Sequence, residues 1–307
     1  MRSFWGGANS VYNALKGNPR YEIYTFDITK PTRKLHFKLD LSQKNIVEKF
    51  KKYPRPDIIT SSTLCQSFSL VLSMVGGGTP FWKFNTDKNK LQLRTIKEFE
   101  KLKSGFTRFL KPDVQLFLAK LGKKCIDNTI KIIDYYKPKN WYIENPKTSL
   151  IWKYIKLNKK KDHKKYYFNL ASYGKYGFMI RKDTIFFSNI KMNLSFGKVM
   201  PIYHIELESV NEKEALSNLV NRSKIYVNKN GKWYKKWYVA NGHTLKEGRK
   251  FCTLFAKDAG LGKLQKIDDK SKLQKNKKST EQICESGSVS HIPENLIRSI
   301  FSYFKGK

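Results

Sequence analysis

The chain has 307 residues, of which 40% are hydrophobic, with 20 Phe, 17 Tyr and 6 Trp. This is enough apolar material for a packed core, so wholesale disorder is excluded, and the length suits one large domain or two small ones. The chain carries 61 Lys and Arg against 25 Asp and Glu, a net charge of +36. A polyanion is the simplest partner for such an excess, and nucleic acid is favoured over an acidic membrane surface.

The sequence also narrows the cellular setting. It contains no apolar run of 18 residues, so we expect no membrane span, and residues 1–7 lack the pattern of a secretory signal. The four cysteines stand far apart with no Cys-x-x-Cys pair. That spacing argues against a zinc site and against a disulfide framework, so we expect a reducing, cytoplasmic environment.

Short apolar strands alternate with helical stretches through the first 145 residues. The strands are predicted at Arg2–Trp5, Tyr21–Phe26, Lys34–Leu39, Asp57–Thr60 and Asn140–Ile143. The helices are predicted after Gly6-Gly7 as far as about Lys16, at Leu41–Tyr53, and over residues 93–137. The last range holds one long helix or two consecutive helices, with a break near Lys111-Pro112. This alternation predicts an α/β fold with a doubly wound sheet.

The second half of the chain has a weaker pattern. Residues 147–165 are strongly basic, and strands are predicted at Tyr166–Ala171, Thr184–Phe187 and Lys232–Val239. A last helix begins at Pro293, because apolar residues recur after it at helical spacing.

Ligands of doubly wound sheets bind at the carboxyl ends of the strands. The residues that follow the predicted strands are Gly6-Gly7, Asp27, Asp40, Cys65-Gln66 and Glu144. Each has an ordinary explanation, since Gly-Gly forms turns, Asp caps helices, and a lone Cys packs in cores. All five in corresponding places of one sheet are much less expected by chance, so we interpret them as a site.

Seven segments carry a specific combination of residues. They are Ser3–Val11, Phe26–Ile28, Leu39–Leu41, Pro56–Ser69, Tyr142–Pro146, Tyr176–Thr184 and Ile292–Leu296, of which Cys-Gln-Ser-Phe-Ser at 65–69 and Glu-Asn-Pro at 144–146 are the most specific. Together they resemble the DNA cytosine-5 methyltransferases, particularly their small phage and bacterial branch, over nearly the whole chain. The resemblance implies a Rossmann-like, S-adenosylmethionine-dependent methyltransferase sheet with a smaller target-recognition region.

The resemblance also implies a division of the chain and a set of catalytic residues. Residues 1–190 would bind the cofactor and catalyse, residues 191–285 would recognise the target, and residues 286–307 would return to the catalytic domain. Cys65 would add to carbon 6 of a flipped cytosine, and Glu144, protonated or sharing a proton with the base, would relieve the resulting negative charge at a ring nitrogen. Arg181 and Lys182 would steer the base and phosphates. A mobile loop at 66–90, with Gly76–Gly78, would close over the base.

The methyl donor implied by the resemblance is S-adenosylmethionine. Its amino-acid end would lie at Gly6 and Gly7, its adenine along Phe4, and its ribose hydroxyls at Asp27, with Ile28 also among the cofactor-binding residues. Asp40 would accept a hydrogen bond from the adenine amine, and Ser290 would reach the methionine portion. No metal ion is implied.

Nucleic-acid contacts are predicted at Gln66 and Ser67 and, in the recognition region, at Arg222, Lys235 and Lys236, where cationic donors alternate with aromatic residues. An aromatic hairpin that buries its own core is an equal explanation of any single one of these residues in the recognition region. The implied partners are double-stranded DNA and a cognate restriction endonuclease. We expect a monomer without membrane contact, bacterial or phage-encoded and nucleoid-associated, in a restriction-modification setting.

Two departures from the family pattern keep alternatives open. Most members have Pro directly before the catalytic Cys, where this chain has Thr63-Leu64, and the usual Gln-x-Arg-x-Arg stretch reads Ile180-Arg181-Lys182-Asp183-Thr184. An RNA (tRNA) cytosine-5 methyltransferase of the same fold is the nearest alternative. A non-catalytic nucleic-acid-binding relative is the next, and a membrane-surface protein has only the charge in its favour.

Overall fold

The computed structural model describes residues 2–4, 9–69, 81–102, 111–158, 165–178, 182–197, 203–216, 226–240, 244–247, 252–253 and 292–304. The chain divides into two compact units. The first comprises residues 1–171, 184–194 and 298–307, and the second comprises residues 172–183 and 195–297.

Among the described residues, seven strands form one central sheet in the order β3-β2-β1-β4-β7-β9-β8. They are β1 (Arg2–Phe4), β2 (Glu22–Asp27), β3 (His36–Lys38), β4 (Ile58–Ser62), β7 (Asn140–Pro146), β8 (Tyr167–Ser172) and β9 (Asp183–Ser188). The pairs β1–β2, β2–β3, β1–β4 and β4–β7 are parallel, and β9 runs antiparallel to β7. The chain thus builds outward from β1 to β3 and then returns to β4, which confirms the predicted doubly wound α/β fold.

The centre of the sheet is apolar on both faces. Ile58 and Ile59 of β4 and Ile143 of β7 are fully buried, as expected of inner parallel strands covered on two sides. Phe26 and Phe50 pack edge to face beside them, with ring centroids 4.7 Å apart. Each such side chain contributes roughly 1.5–3 kcal/mol through the apolar surface it buries.

The described helices are α1 (Ser10–Leu15), α2 (Ile46–Phe50), α3 (Ile96–Leu102), α4 (Pro112–Tyr136), α5 (Ile151–Asn158) and α6 (Glu294–Tyr303). None of the helices in the described ranges combines the length and apolarity that a membrane crossing requires.

The long helix α4 begins and ends where its sequence indicates. Pro112 occupies its first turn, where a missing N–H costs no hydrogen bond, so the predicted change of helix near Lys111-Pro112 is confirmed. Lys137 ends the helix with a left-handed backbone, φ 43°, and its N–H donates to Ile133 O at 2.8 Å. Pro138 follows and prevents the helix from continuing.

The helix predicted at Leu41–Tyr53 is wrong in its first half, because α2 begins only at Ile46. Asn128 of α4 donates its side-chain N–H groups to the carbonyls of Leu41 and Gln43, which holds that segment in a turn. Asn45 then adopts a left-handed conformation, φ 55°, that a helix cannot include.

A mobile loop was predicted at residues 66–90, and this prediction is wrong for the two ends of the range that the structure describes. Cys65–Phe68 form a 3₁₀ helix, and β5 (Trp82–Asn85) pairs with β6 (Lys90–Leu93) in an antiparallel hairpin. Phe68 and Trp82 are fully buried and stack with ring centroids 4.9 Å apart, so these ends are packed into the core. Gly76–Gly78 lie outside the described residues.

The second unit contains an antiparallel sheet. Its strands are β10 (Tyr203–Val210), β11 (Tyr226–Lys229), β12 (Lys232–Ala240) and β13 (Cys252–Thr253), with β12 paired to the other three. Tyr226, Trp237 and Val239 form a small core with Ala215. The strand predicted at Lys232–Val239 is confirmed with one more residue. Target recognition by residues 191–285 stays a prediction.

Candidate active site

Two neighbouring strands of the central sheet, β4 and β7, position Cys65 and Glu144. Ser62, the last residue of β4, lies directly opposite Glu144 of β7 in the parallel register. Cys65 comes three residues after Ser62 and begins the 3₁₀ helix. The thiol-bearing residue is exposed, whereas Glu144 is only 5% exposed. An accessible thiol and a buried carboxyl group therefore belong to the same carboxyl edge of the sheet.

The segment before Cys65 is held by a buried amide. The side-chain Nδ2 of Asn145, the residue after Glu144, donates to Thr63 O at 2.8 Å and reaches Thr63 Oγ1 at 3.2 Å. Asn145 is completely buried, and within the described part of the chain its Oδ1 has no hydrogen-bond partner. Because a buried donor is costly to leave unpaired, this contact fixes Thr63 relative to Glu144.

The segment after Cys65 is held from three directions. Ser67 Oγ donates to Leu118 O of α4 at 2.7 Å, and Trp82 Nε1 of the hairpin donates to Ser67 O at 2.8 Å. The backbone N–H of Leu150 donates to Phe68 O at 2.9 Å. Every one of these partners is remote in sequence, so the position of Cys65 depends on tertiary contacts.

Gly122 of α4 permits the close approach of this segment. A Cβ added at Gly122 would lie 2.2 Å from Ser67 Cβ and 2.3 Å from Ser67 Oγ, far inside van der Waals contact. Glycine inside a helix costs about 1 kcal/mol relative to alanine, so its presence there indicates a packing requirement. Sequence reasoning missed Gly122, although an interior glycine in a long helix was the available signal.

Two residues of this segment were predicted to contact nucleic acid. Ser67 is buried and donates its hydroxyl to Leu118 O, and its contact with nucleic acid stays a prediction. Gln66 is exposed, and its contact with nucleic acid stays a prediction.

Ionisable groups near the sheet are held in their neutral forms by burial. Burial, and to a lesser extent the neighbouring Glu144 carboxylate, raises the pKa of Tyr142 far above its ordinary value. Burial likewise raises the pKa of the Cys125 thiol in α4 to about 11, with a smaller contribution from the Asp40 carboxylate. A thiol with that pKa is a poor nucleophile, which leaves Cys65 as the accessible one of the two described cysteine side chains.

Asp27 and Asp40 follow the outer strands of the sheet and form local turns. Asp27 ends β2, and its Oδ1 accepts the N–H of Thr29 at 3.0 Å. Asp40 Oδ1 accepts the N–H of Ser42 at 2.8 Å, and its Oδ2 accepts the Ser42 hydroxyl at 3.1 Å. Both residues are therefore turn formers. A carboxylate has about four lone-pair sites, so both keep capacity for a ligand.

A cavity of about 600 Å³ opens at this edge and is lined by Ile28, Lys38, Leu39, Asp40, Gln43, Lys49 and Lys52. Ile28, which follows Asp27, is 67% exposed. An aromatic base in the cavity would cover that apolar side chain, and the Asp40 carboxylate could accept from its amino group. Size, apolar contact and acceptor together fit the adenosyl part of S-adenosylmethionine.

In the second unit, Lys182 lies over an aromatic ring. Its Nζ is 4.7 Å from the ring centroid of Tyr173, and its carbonyl accepts the N–H of Tyr173 at 3.0 Å. These contacts orient Lys182, and its predicted role in steering the base stays a prediction.

Lys235 and Lys236 of β12 were both predicted to contact nucleic acid. Lys235 is 2% exposed, its Nζ is 3.7 Å from a Glu214 carboxylate oxygen, and it lies over the ring of Trp237. The ammonium group is thus engaged within its own unit, and its contact with nucleic acid stays a prediction. Lys236 is half-buried and opposite Leu207, so its contact stays a prediction.

The structure does not describe the side chains of the remaining predicted site residues. Gly6, Gly7, Arg181, Arg222 and Ser290 lie outside the described residues, and of Phe4 only the backbone in β1 is described. Across the described ranges no group of three or more His, Cys, Asp or Glu side chains could hold a metal ion.

Among known proteins, this chain is similar to solved structures and not to any sequence family model. No family model matches the chain, and no curated protein matches it. The S. pombe Dnmt2 methyltransferase is 13% identical with a TM-score of 0.50, over 99% of this chain and 98% of that one. The Entamoeba histolytica methyltransferase EhMeth is 11% identical with a TM-score of 0.48, over 100% and 99% of the two chains. The chain therefore has the α/β fold of the S. pombe Dnmt2 methyltransferase over nearly its whole length.

Proposed function

We propose that this protein is an S-adenosylmethionine-dependent methyltransferase that methylates carbon 5 of cytosine in DNA. The observation that carries the proposal is the register of β4 and β7, which pairs Ser62 with Glu144. This register brings residues 63–68, which we call the Cys65 segment, to the same edge of the sheet as Glu144. A nucleophilic thiol beside a carboxyl group is the pair this reaction requires. The likeness in fold agrees with the proposal.

Cys65 would act as the nucleophile. Carbon 5 of cytosine reacts poorly with electrophiles, but a thiolate that adds to carbon 6 converts the ring into an enamine, which makes carbon 5 nucleophilic. After carbon 5 is methylated, loss of its proton and departure of the Cys65 thiolate restore the ring. The exposure of Cys65 supports this role, because the base must reach the sulfur.

Glu144 would donate a hydrogen bond or a proton to N3 of the ring, the nitrogen conjugated through carbon 4 with carbon 5. Addition of the thiolate places negative charge on the ring, and a protonated carboxyl group can neutralise it. Glu144 is buried beside Tyr142, which stays neutral, and is followed by Asn145, which fixes the Cys65 segment. These neighbours would hold the carboxyl group at a fixed position relative to the thiol.

The methyl donor would bind along the carboxyl ends of β1, β2 and β3. Asp27 would accept from the ribose hydroxyls, Ile28 would cover the adenine, and Asp40 would accept from the adenine amine, with Gly6 and Gly7 at the amino-acid end. When bound, S-adenosylmethionine supplies an electrophilic methyl group to carbon 5. The cavity lined by Ile28 and Asp40 supports this placement.

DNA is proposed as the substrate because the net charge of +36 requires a polyanion and because a separate unit is available to recognise a target. The target base would be flipped out of the duplex to reach Cys65. An RNA substrate is the alternative that an experiment must exclude.

The test is methyl transfer from tritiated S-adenosylmethionine to duplex DNA and, in parallel, to tRNA, followed by bisulfite sequencing of the product DNA. We expect incorporation into DNA at cytosines in one sequence context, its loss in Cys65→Ser, and its retention in the matched variant Cys125→Ala. Incorporation into tRNA alone would reassign the substrate. A fully active Cys65→Ser protein would refute the covalent mechanism.

A further inference from the structure

The basic segment at 147–165 has no role in the proposed mechanism, and its described part forms one face with the β5–β6 hairpin. Helix α5 buries Ile151, Trp152, Tyr154 and Ile155, and it exposes Lys153 and Lys156. Residues three apart on a helix are neighbours on its surface. We call Phe84, Lys153, Lys156 and Phe168 the lysine–aromatic face.

Each lysine of this face lies over an aromatic ring. Lys153 Nζ is 4.3 Å from the ring centroid of Phe84, and Lys156 Nζ is 4.6 Å from that of Phe168. Phe84 is 41% exposed, so part of its ring faces solvent beside Lys153. The face therefore presents cations and an aromatic surface side by side.

Among the described residues, no acidic side chain pairs with the lysines of the face. Elsewhere in the same unit Lys83 is paired with Glu98 and Lys123 with Asp127. Within the described residues neither Lys153 nor Lys156 forms a salt bridge. Their ammonium groups keep their donors for a ligand outside the protein.

Hydrogen bonds tie α5 to the hairpin, and the same hairpin contacts the Cys65 segment. Asn158 at the end of α5 accepts from Leu91 N at 3.2 Å and donates to Leu91 O at 3.0 Å, which ties the helix to the hairpin. Trp82 donates to Ser67 O, and Phe84 is two residues farther along β5, on the same side of the strand and about 7 Å away. The hairpin that carries Phe84 therefore also contacts the Cys65 segment, through Trp82 two residues earlier in β5.

From this arrangement we propose that the lysine–aromatic face binds the sugar-phosphate backbone of the substrate nucleic acid. Lys153 and Lys156 contact successive phosphates, and Phe84 packs against a base or sugar beside them. Lysine side chains that track a backbone and exposed aromatic rings are the two elements of single-strand binding grooves. The inference rests on the proposed function, because it assigns a substrate contact to that site.

The charge contribution is tested by equilibrium binding without methyl donor, using a short mixed-sequence duplex and its single strand, between about 50 and 200 mM salt. The test variant is Lys153→Gln/Lys156→Gln. The control variant is Lys16→Gln/Lys139→Gln, which removes two exposed lysines outside the lysine–aromatic face. Lys139 lies just before β7, at the end of that strand opposite to Glu144. We expect the first to lower the salt slope of log affinity by about 1 per lysine and the second to leave it unchanged.

The aromatic contribution is tested with Phe84→Leu, which keeps an apolar side chain on the hairpin. We expect single-strand affinity to fall roughly fivefold, the lower end of what a lost stacking contact produces. Equal thermal unfolding midpoints for the wild type and the variants would show that the hairpin remains folded. An unchanged affinity in Phe84→Leu would remove Phe84 from the contact.

The outcomes separate this inference from the proposed function. If the wild type transfers methyl groups and the lysine double variant binds as the control variant does, the inference is overturned and the proposed function stands. If the wild type binds nucleic acid through this face but methylates none, the proposed function is overturned and the inference stands. Tighter binding to phosphatidylserine vesicles than to either nucleic acid, lost in the double variant, would also overturn the inference.

Discussion

The two halves of the candidate site are held in different ways. Asp27 and Asp40 are each fixed by a turn that reaches only two residues along the chain, to Thr29 and Ser42. The Cys65 segment is instead held by Asn145, Leu118 and Trp82, at least fifteen residues away in sequence. The cofactor half is thus held by hydrogen bonds within short turns, and the nucleophile half by hydrogen bonds between segments that are distant in sequence.

This difference predicts that the two halves can be damaged separately. A change in α4 or at Asn145 should disturb the thiol and leave donor binding intact. A change at Asp27 should do the reverse. Measuring thiol reactivity and donor affinity in the same variants would therefore test whether the halves are independent.

The largest expected effect is the contrast between the two described thiols. With iodoacetamide at about pH 8 we expect Cys65 to be alkylated on the order of 100-fold faster than Cys125. Cys65 is exposed, whereas burial raises the pKa of Cys125 to about 11 and leaves little thiolate. Because Cys125 ionises only as the pH approaches that value, its labelling should increase with pH. Peptide mass spectrometry measures both rates, and equal rates in the folded protein would contradict the assignment of Cys65.

The next effect is expected from Gly122→Ala. The new methyl group would collide with Ser67, and such overpacking typically costs about 1–3 kcal/mol, reduced here by the better helix propensity of alanine. We expect a lower free energy of unfolding in urea, slower alkylation of Cys65 and a lower kcat, with donor affinity unchanged. Lys120→Ala, on the exposed side of the same helix, is the matched control. Unaltered stability and kcat would mean that α4 does not position the thiol.

Asp27 tests the cofactor half. We expect Asp27→Ala to weaken S-adenosylmethionine binding by about 1–3 kcal/mol, because ribose hydroxyls lose an acceptor in a partly buried place. Asp27→Asn should weaken it less, since its Oδ1 can still accept from Thr29 and preserve the turn. Isothermal calorimetry gives both values, and Asp113→Asn, an exposed carboxylate of α4, serves as the control. No change in Asp27→Ala would place Asp27 outside the cofactor site.

The smallest effect is expected from Thr63→Val. This change removes only the Oγ1 contact with Asn145, while the stronger bond to Thr63 O remains, so the loss of stability should be about 0.5–1.5 kcal/mol. We expect kcat to decrease with little change in KM, because the contact positions the thiol and does not bind substrate. Thr63→Ser, which restores the hydroxyl, should recover kcat. A variant whose KM rises while kcat is constant would assign Thr63 to substrate binding instead.

Much of the fold could be predicted because its signals are local. The apolar run at Ile58–Thr60 gives a buried strand, and Pro112 gives the start of a helix. Asp27 and Asp40 follow their strands at the positions where ligands bind in such sheets, so their places were predictable before any contact was known.

The errors arose where distant residues decided the outcome. Asn128 of α4 holds Leu41 and Gln43 in a turn, so the predicted helix begins late. The surroundings of Ser67 and Lys235 also depend on distant residues, because the Ser67 hydroxyl donates to Leu118 O and the Lys235 ammonium group lies 3.7 Å from a Glu214 carboxylate oxygen. No pattern within a few residues indicates such partners.

The sequence by itself determined the order of strands and helices, the excess of positive charge and the kinds of residue placed at the carboxyl edge, because periodicity and turn chemistry act over a few residues. The tertiary structure alone decided which of those side chains are accessible, how the Cys65 segment is held, and that the hairpin and α5 bring Phe84 and Lys153 together. Burial and hydrogen bonding between distant segments depend on where the whole chain packs, and that information is absent from any short stretch of residues.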